Sequence, residues 1–205
     1  MWKKVVMGVA VAAAALTMSA CGGASQGSSS SGEAVPQGKS IVVYYSASGH
    51  TKQAAKTIAK ETGSDLYAIT PKVPYTEADL DYNNSSSRVS MEHKDSSIRP
   101  EYTGDAANWD DYRVVYLGYP IWWGQAPPII STFLEHYDFE GKTIVPFCTS
   151  GSSGIGASAT DLHGLAPSTS WLSGRRFSGT VTASELAEWV SELSPPEGTV
   201  SAKAA

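Results

Sequence analysis

Residues 40–51 read SIVVYYSASGHT and contain the clearest indication of how this chain folds. Residues 41–45 are apolar, β-branched or aromatic without a break, which predicts a strand buried on both of its faces. Small and hydroxylated residues follow, and residues 51–62 then place three alanines and Ile58 on one helical face before Gly63 ends the helix. A strand, a tight loop and a helix in this order predict the first unit of an alternating α/β domain.

The alternation of strands and helices continues almost to the end of the chain. Four further apolar stretches predict strands, at residues 66–69, 113–119, 143–148 and, more weakly, 170–177. Helical patterns separate or follow the later strands, over residues 129–137, 155–165 and 182–193. Thr182 and Glu185 form a capping box at the start of the last helix. This order predicts a parallel sheet that is covered by helices on both sides.

Two features depart from a regular alternation. Pro146 removes a hydrogen-bond donor from the fourth predicted strand, so a bulge or an early strand end is predicted there. Residues 71–112 are polar and lack clear strand character. So long a segment predicts either a functional excursion over a site or a surface loop that contains one helix.

The first 20 residues have the pattern of a secretory signal peptide. Lys3 and Lys4 precede an apolar stretch over residues 5–18, which is shorter than the roughly 20 residues that a spanning helix needs. Residues 16–21, LTMSAC, resemble the cleavage box of bacterial lipoproteins. This resemblance implies that Cys21 receives a lipid and anchors the mature protein to a membrane, outside the cytoplasm. The alternative is an uncleaved signal anchor in which Cys21 has no role.

Flexible segments flank the predicted domain. Residues 21–39 are dominated by Gly and Ser after the cysteine, which is typical of a tether that behaves as a flexible coil. Residues 40–194 form the predicted domain, and residues 195–205 are predicted to be a flexible tail.

The composition excludes several functional classes. Hydrophobic residues make up 41% of the 205-residue chain and aromatic residues 10%, enough for a folded core. The chain has 15 basic and 20 acidic residues, and its basic residues form no stripe, so we expect no nucleic-acid binding. Two cysteines, Cys21 and Cys148, exclude a disulfide scaffold, and the four histidines lack metal-ligand spacing, so no metal site is expected. Cys148 is interpreted as a small buried strand residue.

Three predicted loops come at the carboxyl ends of strands, where parallel α/β sheets bind ligands. The first loop is Ser46-Ala47-Ser48-Gly49-His50-Thr51. Its hydroxyls, its glycine and the helix that starts there predict a cradle for an anion. Because the loop lacks the lysine of a nucleotide-triphosphate loop, a phosphate monoester is the favoured ligand. The alternative is an ordinary helix cap made by Ser48 or Thr51.

The second loop starts Pro120-Ile121-Trp122-Trp123-Gly124. Adjacent tryptophans beside a glycine suit a flat aromatic ligand that stacks on a ring and lies against a bare peptide. We expect both tryptophans to lie outside the core and at least one to stack on the ligand. The alternative is that a tryptophan anchors the loop to the core.

The third loop is Thr149-Ser150-Gly151-Ser152-Ser153-Gly154, whose small residues allow main-chain N–H groups to approach a ligand. A competing interpretation is a dinucleotide fingerprint, because residues 154–159, GIGASA, fit Gly-x-Gly-x-x-Ala, with Arg175 and Arg176 as readers of a 2′-phosphate. That fingerprint belongs to a first strand-helix turn, which disfavours it at the fourth strand.

Taken together, the three loops resemble those of the flavodoxin family, including its quinone-reductase-like and lipoprotein relatives. The resemblance covers residues 40–194 and implies a five-stranded parallel sheet in the order 2-1-3-4-5 within a three-layer sandwich. His50 stands where many members have Asn. FMN is the implied cofactor, and its implied binding residues are Ser46, Ala47, Ser48, Gly49, His50, Thr51, Pro120, Ile121, Trp122, Trp123, Gly124, Thr149, Ser150, Gly151, Ser152 and Gly154.

This resemblance implies a membrane-tethered, extracytoplasmic FMN protein that carries electrons between redox partner proteins. One alternative is an NAD(P)H-dependent oxidoreductase that reduces a small acceptor such as a quinone. Another is a lipoprotein that keeps the fold but binds a different phosphorylated aromatic ligand or a protein partner. No catalytic residue is predicted.

Overall fold

The computed structural model describes residues 34–193, and in this part of the chain a parallel sheet is covered by helices on both faces. The predicted signal peptide over residues 1–20, Cys21 with most of the tether, and the predicted tail over residues 195–205 lie outside the described residues. The predictions made for them stay predictions. No helix within residues 34–193 has both the length and the apolar character that crossing a membrane requires.

The regular elements follow the predicted order closely. The strands are β1 (Ser40–Tyr44), β2 (Asp65–Ala68), β3 (Thr70–Pro71), β4 (Tyr102–Thr103), β5 (Val114–Pro120), β6 (Thr143–Thr149), β7 (Ser170–Trp171) and β8 (Arg175–Phe177). The α-helices are α1 (His50–Thr62), α2 (Arg88–Lys94), α3 (Pro128–His136) and α4 (Ala183–Leu193). Short 3₁₀ helices cover Trp109–Asp111 and Thr160–Leu165.

The main sheet has the predicted strand order. Its order is β2-β1-β5-β6, all parallel, and β7 and β8 pair one after the other with the outer side of β6. Counting β7 and β8 as the single strand predicted over residues 170–177, this is the order 2-1-3-4-5. The predicted three-layer α/β fold is therefore confirmed.

A buried cluster lies on each face of the sheet. On one face, side chains of β1 and β5 pack with α1 and α4, where Ile58 and Trp189 are buried. On the other face, the sheet packs against α3, with Phe133 at the centre, and against Trp109 and Val89 of the 71–112 segment. β1 and β5 are buried on both faces because both faces are covered, as their continuous apolar runs predicted.

Strand β6 neither bulges nor ends at Pro146, so that prediction was wrong. It stays in register with β5 through Thr149, and the interruption falls instead in the neighbouring strand, between β7 and β8. Leu172 N donates to Ile144 O (2.9 Å), so the peptide groups of alternate residues, Pro146 among them, face this edge. Pro146 has no N–H to donate at this edge. The chain passes close to its ring at Gly174, where a Cβ would lie only 2.9 Å from the proline ring, so a residue without a side chain is required there.

The prediction of a helix over residues 155–165 was also wrong in its extent. Turns cover residues 156–159, and only the 3₁₀ helix Thr160–Leu165 follows. Gly156 has φ of 50°, which an α-helix does not accommodate, and the Ser158 hydroxyl bonds to Ile155 O at 2.6 Å.

The ends of the described body meet beside the first strand. Val35 N, five residues before β1, donates to Leu193 O at the end of α4 (2.9 Å). The predicted capping box starts α4, since Thr182 N donates to the Glu185 carboxylate (2.8 Å) and Glu185 N donates to Thr182 Oγ1 (3.2 Å). Helix α4 therefore returns the chain to the edge of the sheet where the strands begin.

Candidate functional site

The three predicted loops lie at the same edge of the sheet, because β1, β5 and β6 are parallel neighbours and end there. Two hydrogen bonds join them. Thr51 Oγ1 of the first loop lies 2.7 Å from Thr149 Oγ1 of the third, and Ile121 N of the second donates to Thr149 O (3.2 Å). Thr149 is thus the link between all three loops.

The first loop presents the start of α1 without a side-chain cap. Gly49 occupies the N-cap position with φ of 92°, and no side chain accepts a bond from the first turn there. The Gly49 N–H itself donates to Ser46 Oγ (3.1 Å). The alternative of an ordinary cap by Ser48 or Thr51 is contradicted. The first N–H groups of α1 therefore have no acceptor, either inside the helix or from a capping side chain. They lie at the positive end of the helix dipole, which suits an anion.

The hydroxyls of the first loop are not equivalent. Ser48 and His50 are exposed, and Ser48 Oγ lies 3.0 Å from His50 Nδ1. Thr51 is buried, and its hydroxyl is directed to Thr149 rather than to the open surface. Gly179 lies against the His50 ring, where an added Cβ would be 3.0 Å away. Ser48, His50 and the main chain are thus the groups of this loop that are open to a ligand.

The second loop makes a tight turn with an unusual central residue. Trp122 N donates to Gln125 O (2.9 Å) and Gln125 N to Trp122 O (3.0 Å), which closes a two-residue hairpin turn. Its central residues both have positive φ, 46° at Trp123 and 81° at Gly124, as in a type I′ turn. Glycine adopts this conformation readily, whereas a bulky tryptophan is strained in it. Strain of this kind persists only where surrounding contacts impose it.

The two tryptophans of this loop have different environments. Trp122 is 4% exposed and makes edge contacts with the rings of Tyr45 (5.8 Å between centroids) and Tyr75 (5.5 Å). The expectation that both tryptophans lie outside the core is therefore wrong for Trp122, which anchors the loop. Trp123 is 41% exposed, and its ring is stacked on His93 at 4.8 Å with an interplanar angle of 18°. Tyr82 packs at a tilt beside it (4.9 Å).

A buried ionic cluster supports Trp122 from the 71–112 segment. Glu92, which is 4% exposed, accepts from Tyr75 Oη (2.7 Å) and from Arg88 Nε (2.8 Å). The Arg88 guanidinium lies 3.8 Å from the centroid of the Tyr75 ring. Burial, and then the bond to Glu92, raise the pKa of the Tyr75 hydroxyl, so it stays a donor. The 71–112 segment therefore has one α-helix and also covers the second loop.

Sequence analysis identified neither this cluster nor His93. Arg88 and Glu92 have the spacing of an ordinary surface pair on a helix, and nothing local indicates that they face the second loop. The available signal was the unexplained length of the polar segment.

The third loop is fastened by Arg176 of β8. Its guanidinium donates to Ser150 Oγ (3.1 Å), Ser150 O (2.7 Å) and Gly151 O (2.7 Å). The Ser150 hydroxyl in turn donates to Ser153 O. Ser152 and Gly154 are exposed. The carbonyls of Ser150 and Gly151 therefore point to Arg176, and the exposed residues that follow leave the outer edge of the loop open to a ligand.

The structure gives the dinucleotide interpretation no support. Arg176 is bound to its own loop, and Arg175 is paired with Glu192 (2.7 Å). No α-helix begins at Gly154, so the dipole that such a fingerprint uses is missing.

Cys148 is fully buried in β6, in agreement with its interpretation as a strand residue. Burial raises the pKa of its thiol to about 12, far above the range of reactive cysteines. Among residues 34–193, no three His, Cys, Asp or Glu side chains come together as a metal site would require.

A cavity of about 160 Å³ lies beside the second loop. It is bordered by Trp122, by α2 and the residues after it, by the first turn of α3 and by residues 158–162. It contains none of the first-loop or third-loop residues predicted to bind a cofactor.

Comparison with known proteins gives a consistent result. A family model described as Flavodoxin matches residues 39–193. A protein from Bacteroides eggerthii, provisionally described as a flavoprotein, is 44% identical, with a TM-score of 0.72 over 77% of this chain and 98% of its own. A similarly described protein from Bacteroides uniformis is 40% identical, with a TM-score of 0.72 over 76% of this chain and 99% of its own.

A flavoprotein from Lactobacillus acidophilus, solved in complex with FMN, shares the fold at 23% identity. Its TM-score is 0.57 over 75% of this chain and 99% of its own. No curated protein matches the sequence.

Proposed function

The chain belongs to the flavodoxin family, and on that premise we propose that it binds FMN and carries electrons while a lipid on Cys21 tethers it to a membrane outside the cytoplasm. The observation that carries the proposal is the uncapped start of α1, placed at the same sheet edge as the exposed ring of Trp123. The start of α1 suits a phosphate, and the exposed ring of Trp123 suits a flat ligand.

The phosphate of FMN would bind at the first loop. Main-chain N–H groups at the start of α1 and the Ser48 hydroxyl supply hydrogen-bond donors, and the helix dipole supplies positive potential. The Lactobacillus acidophilus relative, whose structure contains FMN, supports this choice of ligand.

The flavin ring would lie between the second and third loops. Trp123 offers an aromatic surface, Gly124 offers a peptide without a side chain, and Gly151 lets the third loop approach closely. The exposed Gly124 at positive φ also permits its peptide to turn and hydrogen-bond the ring as it gains a proton.

When bound, FMN supplies one- and two-electron chemistry, and the protein tunes it. An aromatic platform and an acidic chain, with 20 acidic against 15 basic residues, disfavour negative charge on the ring. We therefore propose a low potential for the second electron, and an exposed edge through which redox partner proteins or a small acceptor such as a quinone exchange electrons.

We favour a carrier over an NAD(P)H-dependent oxidoreductase. The two arginines that would read the 2′-phosphate of NADPH are engaged elsewhere, Arg175 with Glu192 and Arg176 with the third loop. The Gly154 fingerprint, which would serve either nicotinamide, starts no α-helix. Rapid mixing of the oxidised protein with NADH and with NADPH tests this choice. A carrier reacts slowly and without saturation, and saturable reduction at a catalytic rate would establish the oxidoreductase.

The deciding experiment for the cofactor is the absorption spectrum of the purified full-length protein, followed by titration with FMN. We expect a yellow protein that releases FMN on denaturation and rebinds it. A colourless protein that ignores added FMN would instead favour a lipoprotein that binds another ligand or a protein partner.

The tether has a test of its own. Cys21→Ser should leave an unprocessed or released protein, with FMN binding unchanged, because Cys21 precedes the described body. Unchanged membrane association and unchanged electrophoretic mobility would contradict lipidation.

A further inference from the structure

The cavity beside the second loop has the size of a single ring. Its volume of about 160 Å³ is close to that of engineered apolar cavities of about 150 Å³ that bind benzene. Apolar walls are formed by Val89, Trp122 and Leu162, which come from α2, the second loop and the second 3₁₀ helix. The flavin of FMN has three fused rings, which is more than a single-ring volume of this size suits.

One buried polar group gives the cavity a chemical preference. The Glu92 carboxylate borders it and accepts one hydrogen bond on each oxygen, from Arg88 and from Tyr75. An ionised carboxylate has about four acceptor positions, so Glu92 can accept another hydrogen bond. A ligand hydroxyl that donates to it gains a bond to a buried carboxylate.

The other charges of the cavity wall disfavour an anionic ligand. Arg99 borders the cavity, but its guanidinium makes a two-bond pair with Glu135, at 2.8 Å for both bonds. Asp161 adds a second carboxylate to the wall. A carboxylate or phosphate ligand would therefore meet negative charge with no unpaired arginine to offset it.

We propose that this cavity binds a neutral, single-ring hydroxylated aromatic molecule, a phenol, with its ring against Trp122 and its hydroxyl donating to Glu92. The site is separate from the proposed FMN site and shares only Trp122 with the residues predicted for it. The inference does not depend on the proposed function, because it rests only on the residues that line the cavity.

Binding of p-cresol and toluene to the full-length protein without FMN provides the test. The two probes share a methyl-substituted ring and differ by one hydroxyl. We expect saturable quenching of tryptophan fluorescence by p-cresol, with an affinity about tenfold or more above that of toluene. Equal affinities, or no saturable binding of p-cresol, would overturn the proposal.

Two neighbouring residues of α3 provide matched variants. Ser131 borders the cavity and Thr132 does not. Ser131→Leu should fill the rim and abolish p-cresol binding, whereas Thr132→Leu should retain it. FMN affinity should be the same in both variants. Undiminished p-cresol binding in Ser131→Leu would refute the site, and so would competition between p-cresol and FMN, which would make the cavity part of the flavin site.

Discussion

The first and second loops stand at the same edge of the sheet, yet they are stabilised in opposite ways. The first loop is shaped by its own residues, through the left-handed Gly49 and its bond to Ser46, and it ends in an open helix start. The second loop is shaped by distant residues, because Trp122 is buried against Tyr45 and Tyr75 while Trp123 is strained and exposed. In each loop, the exposed residue should therefore act mainly on ligand binding and the buried residue mainly on stability.

The largest expected contrast lies within the second loop. Trp122→Ala should lower the free energy of unfolding by about 3–5 kcal/mol, because it empties a buried ring site, whereas Trp123→Ala should lower it by less than about 1 kcal/mol. Urea unfolding of both variants measures this. Comparable losses in the two variants would mean that Trp122 is not the anchor of the loop.

Removal of the ligand phosphate tests the first loop. Riboflavin should bind roughly a hundredfold or more weaker than FMN, because it loses several hydrogen bonds from the start of α1 to a charged group. Fluorescence titration of the cofactor-free protein compares the two ligands. Equal affinities for FMN and riboflavin would contradict the proposal that the first loop binds the phosphate.

Two hydroxyls of the first loop should respond differently. Ser48→Ala should weaken FMN by about 1–2 kcal/mol with stability nearly unchanged, because Ser48 is exposed. Thr51→Val should cost about 1–2 kcal/mol of stability, because it leaves the buried Thr149 hydroxyl without its partner. Paired unfolding and FMN titrations separate the two effects, and a purely destabilising Ser48→Ala would contradict the assignment.

The smallest expected change in stability is at the strained turn. Trp123→Asn should alter the free energy of unfolding by less than about 1 kcal/mol, since asparagine suits positive φ and offsets the lost stacking on His93. FMN binding should still weaken. Trp123→Val is the matched control, because a β-branched residue is disfavoured at positive φ and should be the less stable variant. Equal stability of the two variants would mean that the turn is not strained.

Much of the fold could be predicted because it rests on local patterns. The apolar run of residues 41–45, the helix ended by Gly63 and the capping box of Thr182 and Glu185 each specify their own element. The missing hydrogen-bond donor of Pro146 was identified, but the bulge or early end predicted for its own strand was wrong. Its consequence fell on the neighbouring strand, because the side of the strand that a missing N–H faces depends on the register.

The contacts of the candidate site could not be predicted from local patterns where the contacting residues are distant in the sequence. Trp122 and Trp123 are adjacent in sequence, and contacts with residues distant in the chain, Tyr45 and Tyr75 for Trp122 and His93 for Trp123, distinguish them. Glu92 and Arg88 have the spacing of an exposed pair on a helix, and only the tertiary fold shows that Glu92 is buried. The glycine-rich third loop was identified from its composition, but its fastening by Arg176, 25 residues after Gly151, was not.

The hydrogen bond between Val35 and Leu193 has a practical consequence for engineering. It brings the two ends of the folded body together at the edge of the sheet opposite the three loops. A short linker could therefore join them, and new termini could be opened in the exposed stretch over residues 83–86, giving a circular permutant. For the same reason, a reporter domain fused at either end would leave the ligand-binding edge uncovered.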